Sequence, residues 1–342
     1  MTAWRRLACG WLAVAALTAA AGAQPFQFPT ANRTLLQPGR EADFFQGTAG
    51  RPWTSGQYGC VRSEGNQFHE GVDIRAIQRD RAGEPVDPVL ASAPGAVAYV
   101  NARSPLSNYG IYIVLRHRIE GMEVYTLYAH LREVREGLKV GTVVQAGERI
   151  ATLGRTSNTN PGISKDRAHL HFEICLVVND RYAAWHRERL TDQRNDHANF
   201  NGRNLMGVDP AAVFLQQARM GREFRFVDFL RGQPVLARVA VRSTHFPWLR
   251  RYPQLVVPNS VAEREGIAGY ELGLAFTGLP VRLKPLAASE MPWRDRVRLV
   301  EVSAVESSRH PCSRLAIRRG TLWTLLPRGQ DIVDLITYQP SP

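Results

Sequence analysis

One short segment of this 342-residue sequence pairs a histidine with a carboxylate at a spacing that suits a metal ion. Within residues 68–74, His69 and Asp73 lie four positions apart, with a glycine between them. A spacing of four returns side chains to one face of either a helix or a strand. An imidazole and a carboxylate can therefore converge on the same ion.

A second segment, residues 168–174, alternates polar and apolar residues strictly. If this segment is a strand, its apolar residues face the core, and the opposite face carries His169, His171 and Glu173. A further histidine, His130, stands near the end of another β-like run. Paired imidazoles on one strand face repel each other when protonated and suit a cation.

Two histidines, one carboxylate and a water molecule form the tetrahedral site of a catalytic zinc ion. Such an ion lowers the pKa of its water toward about 7 and polarises a scissile carbonyl, so that amide hydrolysis becomes feasible at neutral pH. Four histidines exceed the needs of one site. The spare pair would serve as general acid or base groups, because an imidazole titrates close to neutral pH.

The elements that must hold these residues are predicted to be strands. Runs rich in Val, Ile and Tyr are separated by glycines at spacings typical of hairpins. They predict strands over residues 95–100, 109–117, 123–130, 143–153 and 168–178. The mixed-charge segment 179–207 is predicted to be a solvated loop or a surface helix, one that could also border a substrate groove. A short closing helix should begin at Pro210.

The predicted fold class is all-β. We expect an antiparallel sheet domain with a metal groove over residues 24–215, with its core at 60–178 and an inserted loop at 179–207. Alternating runs continue beyond residue 216 and predict a second β-rich module over 216–342, in the form of a small sandwich. The runs that carry this prediction lie at 223–229, 235–242, 270–276, 297–305 and 314–326.

The composition is that of a globular protein with a basic surface. Hydrophobic residues at 44% and charged residues at 22% exclude a mainly disordered chain. The net charge is +12, and beyond Gln216 the difference of 19 basic and 11 acidic residues leaves +8. A basic surface suits nucleic acid, anionic lipid or a polyanionic cell-wall polymer. Because no nucleic-acid-binding motif is present, we expect an envelope partner, bound through the basic C-terminal module, and no nucleic acid.

The first 23 residues have the features of a secretory signal peptide: Arg5 and Arg6, an apolar run, and Ala21-Gly22-Ala23 before Gln24. The apolar run is shorter than the roughly 20 residues that a bilayer-spanning helix needs. We therefore expect export to the periplasm or the extracellular space, with no transmembrane segment in the mature chain. In an oxidising compartment one disulfide could form among three cysteines, and the sequence leaves all three pairings open: Cys60, Cys175 and Cys312.

The order and spacing of these motifs resemble those of the lysostaphin-type, LytM-like zinc endopeptidases that cut peptidoglycan peptides. The matching stretches cover about one third of the chain, at residues 68–74, 88–97, 108–114, 128–131, 144–150 and 168–174. The resemblance implies one zinc ion per chain, held by His69, Asp73 and His171. It also implies that His130 and His169 are the catalytic pair that does not bind the metal, orienting the attacking water and stabilising the oxyanion. The 28 or so residues between the His-x-His strand and Val208-Asp209-Pro210 depart from the family pattern, as does the long loop 156–167.

Two further residues have alternative interpretations. Glu173 is either a hydrogen-bond partner of a ligand imidazole or a solvent-facing strand residue. Tyr128, two positions before His130, either shares its face and assists the oxyanion or packs in the core. The five remaining histidines are assigned to the surface or to packing: His117, His186, His197, His245 and His310.

The sequence thus predicts a secreted or periplasmic zinc metalloendopeptidase that hydrolyses amide bonds in peptidoglycan peptides. The alternative is a non-hydrolytic cell-envelope module that keeps the metal fold and regulates other murein hydrolases.

Overall fold

A computed structural model describes residues 24–340 of the chain. The predicted signal peptide at residues 1–23 lies outside this range. Among the described residues, no helix combines the length and the apolar character that crossing a membrane requires.

The first module is built on a nine-stranded antiparallel sheet, here called the main sheet. Its central path runs β11–β10–β7–β6–β5–β8, while β3 pairs with β10, and β9 pairs with both β4 and β7. A separate hairpin is formed by β1 and β2. The strands are β1 (Gly59–Arg62), β2 (Gln67–His69), β3 (Val72–Arg75), β4 (Pro88–Leu90), β5 (Gly95–Asn101), β6 (Ile111–Ile119), β7 (Met122–Val134), β8 (Val143–Val144), β9 (Arg149–Leu153), β10 (His169–Val177) and β11 (Leu205–Val208); the helices are α1 (Glu41–Phe44), α2 (Tyr182–Arg189) and α3 (Pro210–Met220).

The antiparallel all-β prediction for this module is confirmed, and most predicted strands are present with small shifts at their ends. The run 143–153 differs because it divides into β8 and β9. Gly147, at φ +79°, lies in the turn between them, and this backbone conformation favours glycine. The inserted segment 179–207 contains helix α2 and the first residues of β11, so it contributes an edge strand to the main sheet.

Strand β10 lies inside the main sheet and is buried along its whole length. Its neighbours are β3 and β7 at one end and β7 and β11 at the other. Leu170 and Phe172 belong to the main hydrophobic cluster, while Cys175 and Val177 belong to a second cluster on the opposite face. The alternating sequence therefore gives this strand two different buried faces, one of which carries the histidines.

The second module contains a four-stranded antiparallel sheet of order β14–β13–β12–β15 and a separate hairpin of β16 and β17. It is β-rich, but helices accompany the sheet in place of the second large sheet that a sandwich requires. The strands are β12 (Ala237–Val241), β13 (Gly269–Leu274), β14 (Pro280–Leu286), β15 (Val297–Val302), β16 (Ala316–Arg319) and β17 (Leu322–Leu325); the helices are α4 (Phe226–Arg231), α5 (Pro247–Arg251), α6 (Ser260–Glu265), α7 (Ala304–Arg309) and α8 (Pro327–Thr337).

The strand predicted at 223–229 is wrong, since these residues lead into helix α4. The Glu120 carboxylate accepts hydrogen bonds from the backbone N–H groups of Phe226 and Val227, at 2.8 and 3.1 Å. A carboxylate at a helix N-terminus satisfies free N–H groups and interacts favourably with the helix dipole. This partner comes from the turn between β6 and β7, so the local sequence could not reveal it.

The two modules are joined by helix α3, which crosses the predicted boundary at residue 216, and by direct contacts. The Asn179 amide donates to the backbone carbonyls of Leu335 and Tyr338, at 2.7 and 2.9 Å. A disulfide links Cys60 on β1 to Cys312 in the second module, and Cys175 is a buried free thiol. One continuous hydrophobic cluster extends through both modules.

Candidate metal centre

Strands β3 and β10 bring Asp73 and His171 together. The two residues are directly paired in the antiparallel register, and the neighbouring pair is Phe172 with Val72, which faces the core. His69 ends β2, just before the Gly71 turn into β3. A Cβ at Gly71 would lie 2.3 Å from the backbone oxygen of Phe172, so only glycine lets this turn approach β10 closely.

Three donor atoms converge at this point: His69 Nε2, Asp73 Oδ1 and His171 Nδ1. The two nitrogens are 3.0 Å apart, and they lie 3.1 and 3.0 Å from the carboxylate oxygen. Tetrahedral zinc with ligand distances near 2.0–2.1 Å separates its ligand atoms by about 3.3 Å. The spacing of the three atoms is therefore close to one face of such a tetrahedron. Among residues 24–340 this is the only cluster of three or more His, Cys, Asp or Glu side chains whose ligand atoms are close enough to share an ion.

The hydrogen bonds at the far side of each ring fix which nitrogen of the neutral imidazole faces the centre without a proton. His69 Nδ1 donates to the backbone carbonyl of Gln57 at 2.7 Å, and His171 Nε2 donates to Glu173 Oε1 at 3.0 Å. The opposite nitrogens thus present lone pairs to each other and to the Asp73 carboxylate. Three buried electron-pair donors in contact require a cation, and two imidazoles with one carboxylate suit zinc.

The charges around the centre also favour a cation. Burial alone would raise the pKa of the Asp73 carboxyl, but the surrounding imidazoles, those of His69 and His169 foremost, hold its pKa well below its usual value. The second carboxylate oxygen accepts a hydrogen bond from Arg62 Nη2 at 2.6 Å. Burial opposes protonation of His171, yet Asp73 and Glu173 raise the pKa of this imidazole to about 9. The site therefore holds a positive charge strongly, as a proton or as a metal ion.

His130 and His169 form a second imidazole pair beside the metal residues, with ring centroids 4.8 Å apart. His130 Nδ1 donates to the Thr156 carbonyl at 2.8 Å, and His169 Nδ1 donates to the Arg167 carbonyl at 2.7 Å. Both Nε2 atoms are therefore unprotonated. Burial lowers the pKa of both imidazoles, and for His130 the neighbouring His169 and His171 lower it further. Each of these rings is thus a neutral base.

The backbone of His130 explains how it reaches the site. Regular alternation along β7 would place His130 on the core face together with Tyr128, because Ala129 is the residue paired with His171. His130 instead has φ +60°, a left-handed conformation that is uncommon for residues other than glycine. This break in the strand rotates its side chain toward His169.

The same break makes the proposed site role of Tyr128 wrong. Tyr128 is fully buried in the main hydrophobic cluster, and its hydroxyl accepts a hydrogen bond from the Ser92 N–H at 2.8 Å and is bonded to Thr126 Oγ1 at 2.9 Å. Since His130 departs from strand geometry, residues two apart do not share a face here. The core-packing alternative holds for Tyr128.

Glu173 contacts a ligand imidazole, as the first of its two alternatives stated. It is completely buried, and its Oε1 atom also accepts a hydrogen bond from the Tyr109 hydroxyl at 2.7 Å. The Tyr109 ring stacks on His171 with centroids 5.2 Å apart. Neither Tyr109 nor Arg62 was predicted from the sequence to contribute to the site. Tyr109 lies in the matched stretch 108–114, next to a glycine at φ +61°, whereas no sequence signal indicated Arg62.

The other five histidines lie apart from the metal residues. His117 and His186 are buried, His245 is exposed, and His310 stacks on Phe276. His197 is buried and hydrogen-bonded to the Tyr99 hydroxyl at 2.9 Å.

The family model described as Peptidase family M23 matches residues 67–183. This matched segment, residues 67–183, is called the M23 domain below. This match confirms the resemblance to the lysostaphin-type, LytM-like peptidases. The M23 domain contains all five residues that the sequence predicted for the metal site and the catalytic pair: His69, Asp73, His130, His169 and His171.

Several solved structures are similar to this chain over part of its length. A zinc-containing peptidase from Vibrio cholerae is 28% identical over 31% of this chain and 26% of its own, with a TM-score of 0.23. The catalytic domain of lysostaphin from Staphylococcus simulans is 23% identical over 47% of this chain and 87% of its own, with a TM-score of 0.29. The prophage-encoded M23 protein EnpA from Enterococcus faecalis is 22% identical over 34% of this chain and 75% of its own catalytic domain, with a TM-score of 0.26. The chain thus spans about a quarter of the Vibrio cholerae peptidase. No curated protein sequence is significantly similar to it.

Proposed function

We propose that this protein is an exported zinc endopeptidase that hydrolyses amide bonds in the peptide part of peptidoglycan. The observation that carries the proposal is the convergence of three buried electron-pair donors beside two neutral imidazoles. The M23 domain supports a peptidase, since all five positions of its motifs are filled. One zinc ion per chain would be held by His69, Asp73 and His171.

The residues around the centre have distinct roles in this proposal. Zinc would supply Lewis-acid activation of the scissile carbonyl and of a water molecule. The unprotonated Nε2 atom of His130 or His169 accepts a proton from that water, and the imidazole then passes the proton to the leaving amine. Arg62 and Glu173 hold Asp73 and His171 in their ligand orientations. Thr156 and Arg167 fix the tautomers of the two bases through their backbone carbonyls.

Export is part of the same proposal. The signal-peptide features at residues 1–23 and the disulfide between Cys60 and Cys312 support a periplasmic or extracellular location, because disulfides persist in oxidising compartments. The excess of arginine in the second module would hold the protein to a polyanionic wall polymer by charge. That attraction should weaken as salt is added.

One observation favours the alternative, a non-hydrolytic module that regulates other murein hydrolases. The three metal residues are at most 3% exposed, so little of their surface is open to a bulky polymer substrate. Under this alternative the protein binds cell walls and holds zinc without releasing amines.

The deciding experiment incubates the purified full-length mature protein with isolated cell walls and follows release of free amino groups. We expect release that a zinc chelator abolishes and added zinc restores. The matched variant is His169→Ala, which keeps all three metal residues and should keep stoichiometric zinc while losing release. Tight wall binding by a zinc-loaded protein that releases no amines would contradict the peptidase and support the regulatory module.

A further inference from the structure

A cavity of about 870 Å³ lies beyond Tyr109 from the metal centre. Its walls come from three parts of the chain: the M23 domain, the inserted segment 179–207, and the second module, which contributes helix α8 and Thr277. Its volume is within the roughly 300–1,000 Å³ typical of sites that enclose a small ligand. The inserted segment 179–207, which departs from the family pattern, and the second module thus both line this one cavity.

The cavity is separated from the metal residues by a single layer of side chains. Tyr109 lines the cavity and also stacks on His171. Glu70, which follows the metal residue His69 directly in sequence, also lines the cavity. The cavity is therefore one side chain away from the place where the scissile bond of a substrate would be bound.

Two half-buried charges of the cavity lack an ion-pair partner among the described residues. Arg328 is half-buried in the first turn of α8, and its only hydrogen bond within residues 24–340 goes to the Cys312 carbonyl at 3.2 Å. Burial lowers the pKa of Arg328, Glu70 opposes this, and the nearby Arg314 and Arg203 lower it further. Glu70 is half-buried as well, and its carboxylate makes no hydrogen bond or ion pair within residues 24–340. The two groups are close enough to influence each other, yet they do not touch.

The other charged residues of the cavity are more exposed. Arg194 and Asp196 form an ion pair with each other at 2.7 Å, while Arg203 and Asp331 lie exposed at the rim. No acidic residue occupies the first turn of α8, so the helix dipole adds to the positive potential around Arg328. A partly desolvated cation and a partly desolvated anion that face one cavity without pairing are costly unless a ligand completes them.

We propose that this cavity is a substrate subsite for a zwitterionic peptide end, with a free carboxylate bound by Arg328 and a free ammonium bound by Glu70. The inference rests on the proposed peptidase function and specifies which substrates it would prefer. Guanidinium binds carboxylate in two parallel hydrogen bonds, which gives both affinity and orientation. Selectivity would then come from the inserted segment and the second module, outside the residues that hold the metal.

The test measures binding of muropeptides by the zinc-loaded, full-length mature His169→Ala protein, in which hydrolysis is removed. Three probes are used: muropeptides untreated, acetylated at their free amines, and amidated at their free carboxylates. In this background, Arg328→Gln should weaken binding of the untreated probe about tenfold, and so should Glu70→Gln. The matched control is Arg319→Gln, an exposed arginine of the same module, which should bind as the parent does.

The chemical modifications make the test specific to the two charges. Amidation should weaken binding about tenfold in the parent but have little further effect in Arg328→Gln, and acetylation should behave likewise with Glu70→Gln. Arg328→Lys should restore part of the loss, and the melting temperature and zinc content must match those of the parent. Equal binding of the three probes, or the same amidation penalty with and without Arg328, would overturn the subsite. Amine release from whole walls tests the peptidase separately, so either proposal can fail without the other.

Discussion

The Asp73 carboxylate and the His171 imidazole lie directly opposite each other on β3 and β10, with Oδ1 and Nδ1 3.0 Å apart. Cross-strand neighbours in an antiparallel pair are held by the register of the whole ladder. A slip of one residue would turn His171 into the core and Phe172 into the site. Packing of the buried apolar face of β10 in the core therefore sets the strand register, and this register places His171 opposite Asp73.

Replacing a metal residue should have a different effect on zinc content from replacing a catalytic base. We expect His171→Ala to lose both zinc and hydrolysis, because Asp73 and His69 alone provide too few ligands. His169→Ala and His130→Ala should keep one zinc per chain and lose about 10²- to 10⁴-fold in turnover, the usual contribution of a general acid or base. Metal analysis of each purified variant, together with amine release, checks both statements. Stoichiometric loss of zinc from either base variant would show that the roles are wrongly assigned.

Glu173→Gln tests the partner of the ligand imidazole. The carboxylate accepts a hydrogen bond from His171 Nε2 and so makes the opposite nitrogen a better metal ligand. The glutamine keeps the shape but loses the charge, and we expect zinc affinity to fall about 10- to 100-fold. A competition assay with a fluorescent chelator measures this change. An unchanged affinity would mean that Glu173 serves packing only.

The metal residues were predictable because short-range patterns encode them. The spacing of His69 and Asp73 predicted that their side chains share one face, and the alternation of β10 predicted that His171 lies on its polar face. The family motifs implied that these two faces meet at one metal ion. His130 was predictable from its motif alone, since its φ of +60° reverses the face that alternation assigns. The same reversal accounts for the error at Tyr128.

The contributions that came from distant residues could not be predicted. The Arg62 contact with Asp73 depends on how the β1–β2 hairpin folds over β3, and no local pattern describes that packing. Helix α4 depends on Glu120, about a hundred positions away, to satisfy its first N–H groups. The pairing of Cys60 with Cys312 likewise requires the two modules to be docked.

The disulfide should stabilise the docked modules. It closes a loop between residues 252 positions apart, and restricting an unfolded loop of that size is worth about 5 kcal/mol. We expect reductant to lower the melting temperature of the wild-type protein and to leave a Cys60→Ser, Cys312→Ser double variant unchanged. Calorimetry with and without reductant makes the comparison. Equal sensitivity of both proteins would place the effect elsewhere, for example at the buried Cys175.

His117 should make folding stability depend on pH. Burial lowers the pKa of this imidazole from 6.5 to about 4. Between these values the unfolded chain binds a proton that the folded chain does not, so stability is complete above about pH 6.5 and falls as the pH drops toward 4. The loss from this one group amounts to about 3 kcal/mol. Denaturant unfolding of the wild type and of His117→Gln between pH 4 and 6.5 measures the contribution of His117 to the free energy of unfolding. Because the variant has no imidazole to titrate at this position, it should lose less stability on acidification. Parallel pH profiles for the two proteins would contradict the assignment.

Two tyrosine-to-phenylalanine changes should have opposite effects because the two hydroxyls lie on opposite faces of the main sheet. Tyr128→Phe leaves the Ser92 N–H without its acceptor in the core, and an unsatisfied buried donor costs about 1–3 kcal/mol. Its zinc affinity and turnover should stay unchanged. Tyr109→Phe removes a hydrogen bond to the Oε1 atom of Glu173, whose Oε2 atom has no hydrogen-bond partner in the described part of the chain. Because Tyr109 acts on zinc only through Glu173 and His171, we expect a smaller loss of zinc affinity than in Glu173→Gln, with stability close to wild type. Unfolding curves and the chelator assay on both variants test these expectations. A loss of zinc from Tyr128→Phe would show that Tyr128 contributes to the metal site and not only to the core.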